Sequence, residues 1–292
     1  MDRFVFLTVY GLSRGAIYAA FALALVLIFR ATRVVNFAQG VLAVVSAYLA
    51  YSVSGATGSY WLGFGAALVS GLVLGAVVER VVMRRVEHAP PLNAVIVALG
   101  LVLLTQGILG MIYGNQYRAF PAPFSTVAMT VHGVPLMTRY DLFVFGTVLV
   151  LMLALAVLFT RTATGLRMRA AAFAPQVSRL LGVNVGRMLT LGWALAALVG
   201  AVAGMLIIPT GLGLHPTAMD LVFVSSFTAA VVGGLDSPIG AVVGGLVVGL
   251  VLSYVGGYLN SASTPLAVLA LLVVVLLARP GGLFSASTAR RV

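Results

Sequence analysis

The stretch FVFLTVYGLSRGAIYAAFALALVLIF, Phe4 to Phe29, is followed at once by Arg30 and Arg33. A helix needs about 20 apolar residues to cross the hydrocarbon core of a bilayer, and this run exceeds that with a single charge inside it. It also exceeds the apolar region of a cleaved signal peptide, about 7–15 residues, so it reads as a retained first spanning helix. Arg14, the charge inside it, is expected to face other helices or the outer interface. Long apolar runs recur to the end of the chain, with arginines gathered in the connectors between some of them.

The composition agrees with that reading. Of 292 residues, 62% are hydrophobic and 8% charged, against about 25% charged in a soluble domain. Mean hydropathy is +1.15. Further candidate spans are Phe37–Val53, Trp61–Val78, Ala94–Tyr113, Leu142–Phe159, Met188–Ile208, Leu221–Gly234, Ile239–Leu259 and Pro265–Ala278. The expected fold is all-α, a single polytopic membrane domain over residues 1–292 with about eight to nine spans. The seventh span is short. It reads as tilted, broken or re-entrant with the eighth, since Gly233–Gly234 and Gly244–Gly245 are poor residues for a helix interior.

All seventeen cationic side chains are arginine. If nine segments cross, Arg30, Arg33, Arg80, Arg84, Arg85, Arg161, Arg167, Arg169, Arg179, Arg187, Arg279, Arg290 and Arg291 share one side. Arg3, Arg14, Arg118 and Arg139 take the other. The positive-inside rule puts the first group in the cytoplasm, the N terminus outside and the C terminus inside. The formal charge of +11 is then accounted for by loops at a membrane, and no nucleic-acid partner is implied.

Two connections are substantial. The outer one, Gly114–Tyr140, contains Pro121, Pro123, Gly133 and Pro135 and reads as a folded loop without a long helix. In the inner one, Arg161–Arg187, the apolar residues Leu166, Ala170, Phe173, Val177 and Leu180–Leu181 recur at three- and four-residue steps. That spacing predicts a short amphipathic helix, kinked near Pro175, lying on the membrane or docked to another protein.

No catalytic constellation is visible. The acids Asp2, Glu79, Glu87, Asp141, Asp220 and Asp236 lie mostly at helix ends, and His88, His132 and His215 are isolated. With no cysteine and no lysine, the chain makes neither a thiolate metal site nor a phosphate loop ending in Lys-Ser/Thr. No metal or cofactor is expected on this chain, and any ATP and Mg used in transport belong to another subunit. The absence of an intramembrane carboxylate relay argues against a proton-coupled carrier.

Polar residues within the spans are the possible substrate path. Asn36 reads as a cap of the second helix or a path residue, and Gln39 as a bridge between helices or part of the path. Thr105, Gln106, Ser225, Ser226 and Thr228 are open to the same two readings, helix packing or path lining. These groups suit a zwitterion poorly, because none neutralises a charge. Opposed helix ends near 209–220 and 233–238 are the alternative.

Six segments resemble the branched-chain amino-acid permease subunit of bacterial ABC importers. They are NFAQG at Asn36–Gly40 followed by Ala47–Tyr48, ERVVMRR at Glu79–Arg85, TGLRMRA at Thr164–Ala170, LLGVNVGR at Leu180–Arg187, FTAAVVGGLDSPIGAVVGG at Phe227–Gly245, and RPGGLF at Arg279–Phe284. The resemblance implies a membrane lipid environment, a homologous second permease subunit, two cytoplasmic ATPase subunits, a periplasmic solute-binding protein and a small polar solute. It also implies that the inner connection is a coupling helix, with Thr164, Gly165, Arg169, Ala170, Leu181 and Gly182 touching the ATPase. The chain departs from the family pattern at Val41, Phe173–Ala174, Ser225 and Asp236–Ser237. These departures leave the fold expectation intact and loosen the substrate. Urea or short-chain amides stand beside branched-chain amino acids as solutes, with a stand-alone ion-coupled carrier and a non-transporting scaffold as rival functions.

Overall fold

A computed structural model describes residues 2–86, 89–131, 134–279 and 281–284. Glu87, His88, His132, Gly133, Pro280, Arg290 and Arg291 lie outside the described residues. Among the described residues the chain is all-α apart from one small hairpin. Its helices are α1 (Asp2–Thr32), α2 (Gln39–Thr57), α3 (Tyr60–Val77), α4 (Pro91–Tyr113), α5 (Arg139–Arg161), α6 (Ala163–Phe173), α7 (Pro175–Leu180), α8 (Val185–Ile207), α9 (Asp220–Gly233), α10 (Pro238–Tyr254) and α11 (Thr264–Ala278). The hairpin, β1 (Ala128–Val131) and β2 (Val134–Thr138), is antiparallel with an irregularity between Met129 and Thr130. It forms part of the long 114–140 connection.

Local chemistry sets many of the boundaries. Ser59, Thr162, Asn184 and Ser237 each accept a backbone N–H from the first turn of the helix they precede, satisfying a donor that has no partner in the helix. Thr138 and Asp141 cap α5 reciprocally. Pro91, Pro175 and Pro238 occupy first-turn positions, where no amide hydrogen is needed. Gly58, in the left-handed region at φ 69°, ends α2.

Among the described residues, eight helices are long and apolar enough to cross a membrane. All nine expected segments are helical, but α9 has only 14 residues, about 21 Å at 1.5 Å per residue. Leu214, Ala218 and Met219, in the irregular stretch before it, are buried.

The bundle is built around α1 and α8. α1 runs antiparallel to α10 along a seam where Gly11 and Gly15 meet Gly245 and Gly249. Without side chains at these positions the two backbones approach closely. Phe21, Ile17 and Leu25 of α1 join Tyr48 of α2 and Met205 and Leu206 of α8 in the main core. The outer faces of α4, α5 and α11 present Leu103, Met111, Val150 and Leu277 outward, an apolar surface suited to lipid.

The two ends differ. At the arginine-rich end, Glu79 is buried and accepts hydrogen bonds from the Arg84 guanidinium (2.9–3.1 Å) and the Thr190 hydroxyl (2.6 Å), locking the end of α3 to the start of α8. Arg33 meets Asp236 at 2.6 Å on the surface. The tail returns here, with the amides of Leu283 and Phe284 donating to Val232 and Gly233. At the opposite end, Arg3 donates to the Gly257 carbonyl, and Arg118 exchanges two backbone hydrogen bonds with Leu214.

Candidate functional site

The polar residues picked out within the spans form no single cluster. Asn36 and Gln39 are fully buried between α2 and α8. The Asn36 side-chain oxygen accepts the Ala38 amide, and its NH2 donates to Gln39 Oε1 at 3.0 Å. Gln39 donates in turn to the Ala196 carbonyl at 2.6 Å. Gly200 makes room for it, since a Cβ there would lie 2.5 Å from the Gln39 amide nitrogen. This network ties two helices together and has little capacity left for a solute. Asn36 is not the N-cap of α2, as the sequence suggested. That position is Ala38, without a side-chain cap, because the Asn36 oxygen is spent closing the preceding turn.

Ser225 and Thr228 donate to carbonyls one turn back in α9, Leu221 and Val224. Ser226 is buried with its hydroxyl unpartnered. Thr105 and Gln106 are half-buried on α4. Gln106 donates to both carboxylate oxygens of Asp220 at 3.1 and 3.3 Å, linking α4 to the first residue of the short α9.

Two charged groups overlooked as path residues stand out in three dimensions. Arg14, twelve residues into α1, donates to the Thr210 carbonyl at 2.9 Å and lies over the Tyr10 ring. It lines two clefts, each of about 360 Å3. One is lined by Tyr117, Thr210, His215, Thr217 and Leu221. The other lies against Tyr10, Tyr18, Ser253 and Thr264. Asp220 is the second, exposed beside Gln106 at the level where α9 begins. The signal for both was in the sequence: a charge within or at the edge of an apolar span is costly and therefore functionally suspect.

The 161–187 connection is two helices, α6 and α7, broken at Ala174–Pro175. Its apolar stripe points away from the bundle, leaving it open to a membrane surface or to another protein. Gly165, Met168, Ala171 and Ser178 are buried. Phe173, Leu180 and Leu181 are 93%, 89% and 79% exposed. The reason lies in α5: Gly165 sits so tightly on the Leu158 carbonyl that any side chain there would collide with it. Gly165, Met168 and Ala171 therefore dock the pair to the bundle, and Phe173, Leu180 and Leu181 point away. Of the proposed coupling residues, Arg169, Ala170, Leu181 and Gly182 are exposed, Thr164 is half-buried and Gly165 is buried. Gly182, at φ 80°, makes the left-handed turn that leads into α8.

A model of the family described as branched-chain amino acid transport system / permease component matches residues 7–278. The chain belongs to this family. It is similar to the high-affinity branched-chain amino acid transport system permease protein LivH of Escherichia coli K12, at 28% identity, covering 97% of this chain and 96% of that one. Its similarity to the corresponding protein BraD of Pseudomonas aeruginosa is 25% over the same shares. Among solved structures it shows a weak overall likeness to PsaBC from Streptococcus pneumoniae in complex with Fab, with a TM-score of 0.46, 14% identity, and 94% and 90% of the two chains covered. Membership of the permease family, together with eight apolar helices, makes this a multi-pass permease subunit of an ABC importer.

Proposed function

We propose that this permease subunit imports branched-chain or closely related amino acids, delivered by a periplasmic binding protein and driven by two cytoplasmic ATPase subunits. A second permease, a copy or a homologue, completes the path. The arginine-rich end faces the cytoplasm by the positive-inside rule. The observation that carries the reading is the α6–α7 surface. Phe173, Leu180 and Leu181 are almost fully exposed beside Arg169 and Arg179 at that end. Large apolar side chains so placed mark a surface for a protein partner. A rigid pair of short helices, set between α5 and α8, transmits the closing of an ATPase to the bundle.

The substrate class follows the family and the LivH and BraD relatives. The deciding experiment is uptake into proteoliposomes holding the permease pair and ATPase, with binding protein outside and ATP inside. Leucine, isoleucine, valine and urea are supplied in turn. ATP-dependent accumulation of the amino acids supports the reading. Accumulation of urea alone replaces the substrate, and uptake driven by an ion gradient without ATP overturns the mechanism.

A further inference from the structure

We propose that Arg14 is the recognition site for a solute carboxylate at the outer end of the path. The inference rests on the reading of the chain as an importer of amino acids for its choice of probe, but its geometry stands by itself. By the helix rise, Arg14 lies about 18 Å along α1 from the first residue. The guanidinium carries five N–H donors. The structure gives it one hydrogen-bond acceptor, the Thr210 carbonyl, and the face of the Tyr10 ring. Among the described residues no carboxylate stands within ion-pair distance of it; the ion pairs there are Arg33–Asp236 and Arg84–Glu79.

Arg14 is half-buried, and a partly desolvated cation without a counter-charge gains from the arrival of an anion. Both clefts at this end include Arg14 in their walls, so an entering solute meets it. The second cleft also has apolar walls in Phe6, Leu7 and Leu252, suited to an aliphatic side chain. Arginine binds a carboxylate through two parallel N–H donors, which sets the orientation of a small acid as well as its charge. Tyr18, one turn further along α1, lines the second cleft beside Arg14.

The test is equilibrium binding of radiolabelled leucine to the full chain in lipid nanodiscs. The binding protein is omitted because it would select the carboxylate itself. Competitors are isovalerate, which keeps the carboxylate and lacks the amine, and leucinamide, which keeps the amine and lacks the carboxylate. Expected is saturable binding displaced by isovalerate and not by leucinamide. R14Q should raise Kd at least tenfold and R14K by less. Normal leucine affinity in folded R14Q, equal displacement by leucinamide and isovalerate, or no saturable binding of leucine or isovalerate by the wild-type chain overturns the proposal. If R14Q does not fold, R14K and the wild-type competition still decide it. Binding of isovalerate without leucine uptake in proteoliposomes would retain this site and remove the amino-acid reading. ATP-driven leucine uptake with unchanged R14Q binding would do the reverse.

Discussion

Consider one substitution, glycine to alanine, at two helical positions. At Gly245 of α10 a Cβ would fall 2.6 Å from the Ala19 Cβ and closer still to the Ala19 backbone. Ordinary contact begins at about 3.4 Å, so α1 and α10 must part by the better part of an ångström along their tightest seam. Backbone offers no rotamer to absorb that shift. Overpacking costs about 1–3 kcal/mol, and the upper half of that range applies here. Alanine returns roughly 0.5–1 kcal/mol of helix propensity, leaving G245A destabilised by about 2 kcal/mol. At Gly100 of α4 nothing lies within 4 Å of the added carbon, so only the propensity gain remains and G100A should be stabilised by up to about 1 kcal/mol. The assay is unfolding of the purified chain by SDS titration in mixed micelles. It can be followed by fluorescence, since Trp193 is buried on α8 and Trp61 exposed on α3. Equal midpoints for the two variants would refute the reasoning, because it rests wholly on the packing of α1 against α10.

Other perturbations have equally definite outcomes. E79A leaves Arg84 and Thr190 without their shared acceptor and should destabilise the chain by about 2–3 kcal/mol, below the about 3–5 of a fully buried pair, because the Arg84 side chain is 36% exposed. The same SDS titration measures it, and E79Q should fall between. The double variant F173A/L180A removes two side chains about nine-tenths exposed. Its unfolding midpoint should match wild type while co-purification of the ATPase and ATP-driven uptake fall at least tenfold. The chain has no cysteine, so single cysteines report sidedness cleanly. In intact cells an impermeant maleimide should label N260C and spare Q176C, and the opposite pattern would invert the orientation.

Much of the architecture was legible because lipid selects on local composition. Each apolar run had to become a helix to satisfy its own backbone, and every expected span is one. The break at Pro175 and the shortness of α9 were also readable, from proline and glycine chemistry that acts within a few residues. The site was less legible. Asn36 looked like a cap from its place before the helix. Its actual partners, Ala38 and Gln39, depend on a turn whose shape is fixed by α8 packing behind it. The stripe of Leu166, Phe173 and Leu180 read as a face for a membrane surface or another protein, but the residues that seat the pair on the bundle, Gly165, Met168, Ala171 and Ser178, carried no such pattern.

The amino-acid order alone therefore determined that this is a bundle of membrane helices, how many apolar segments it has, and which connectors share a side, since hydropathy and charge are sums over neighbouring residues. Only the tertiary structure decided what each helix turns toward its neighbours: Gly245 to α1, Gln39 to α8, Arg14 into two clefts, Phe173 away from the bundle. The reason is physical. A helix that is apolar all round has no polar face to orient it, so its rotation is set by the shapes of the helices it packs against, and those belong to distant parts of the chain.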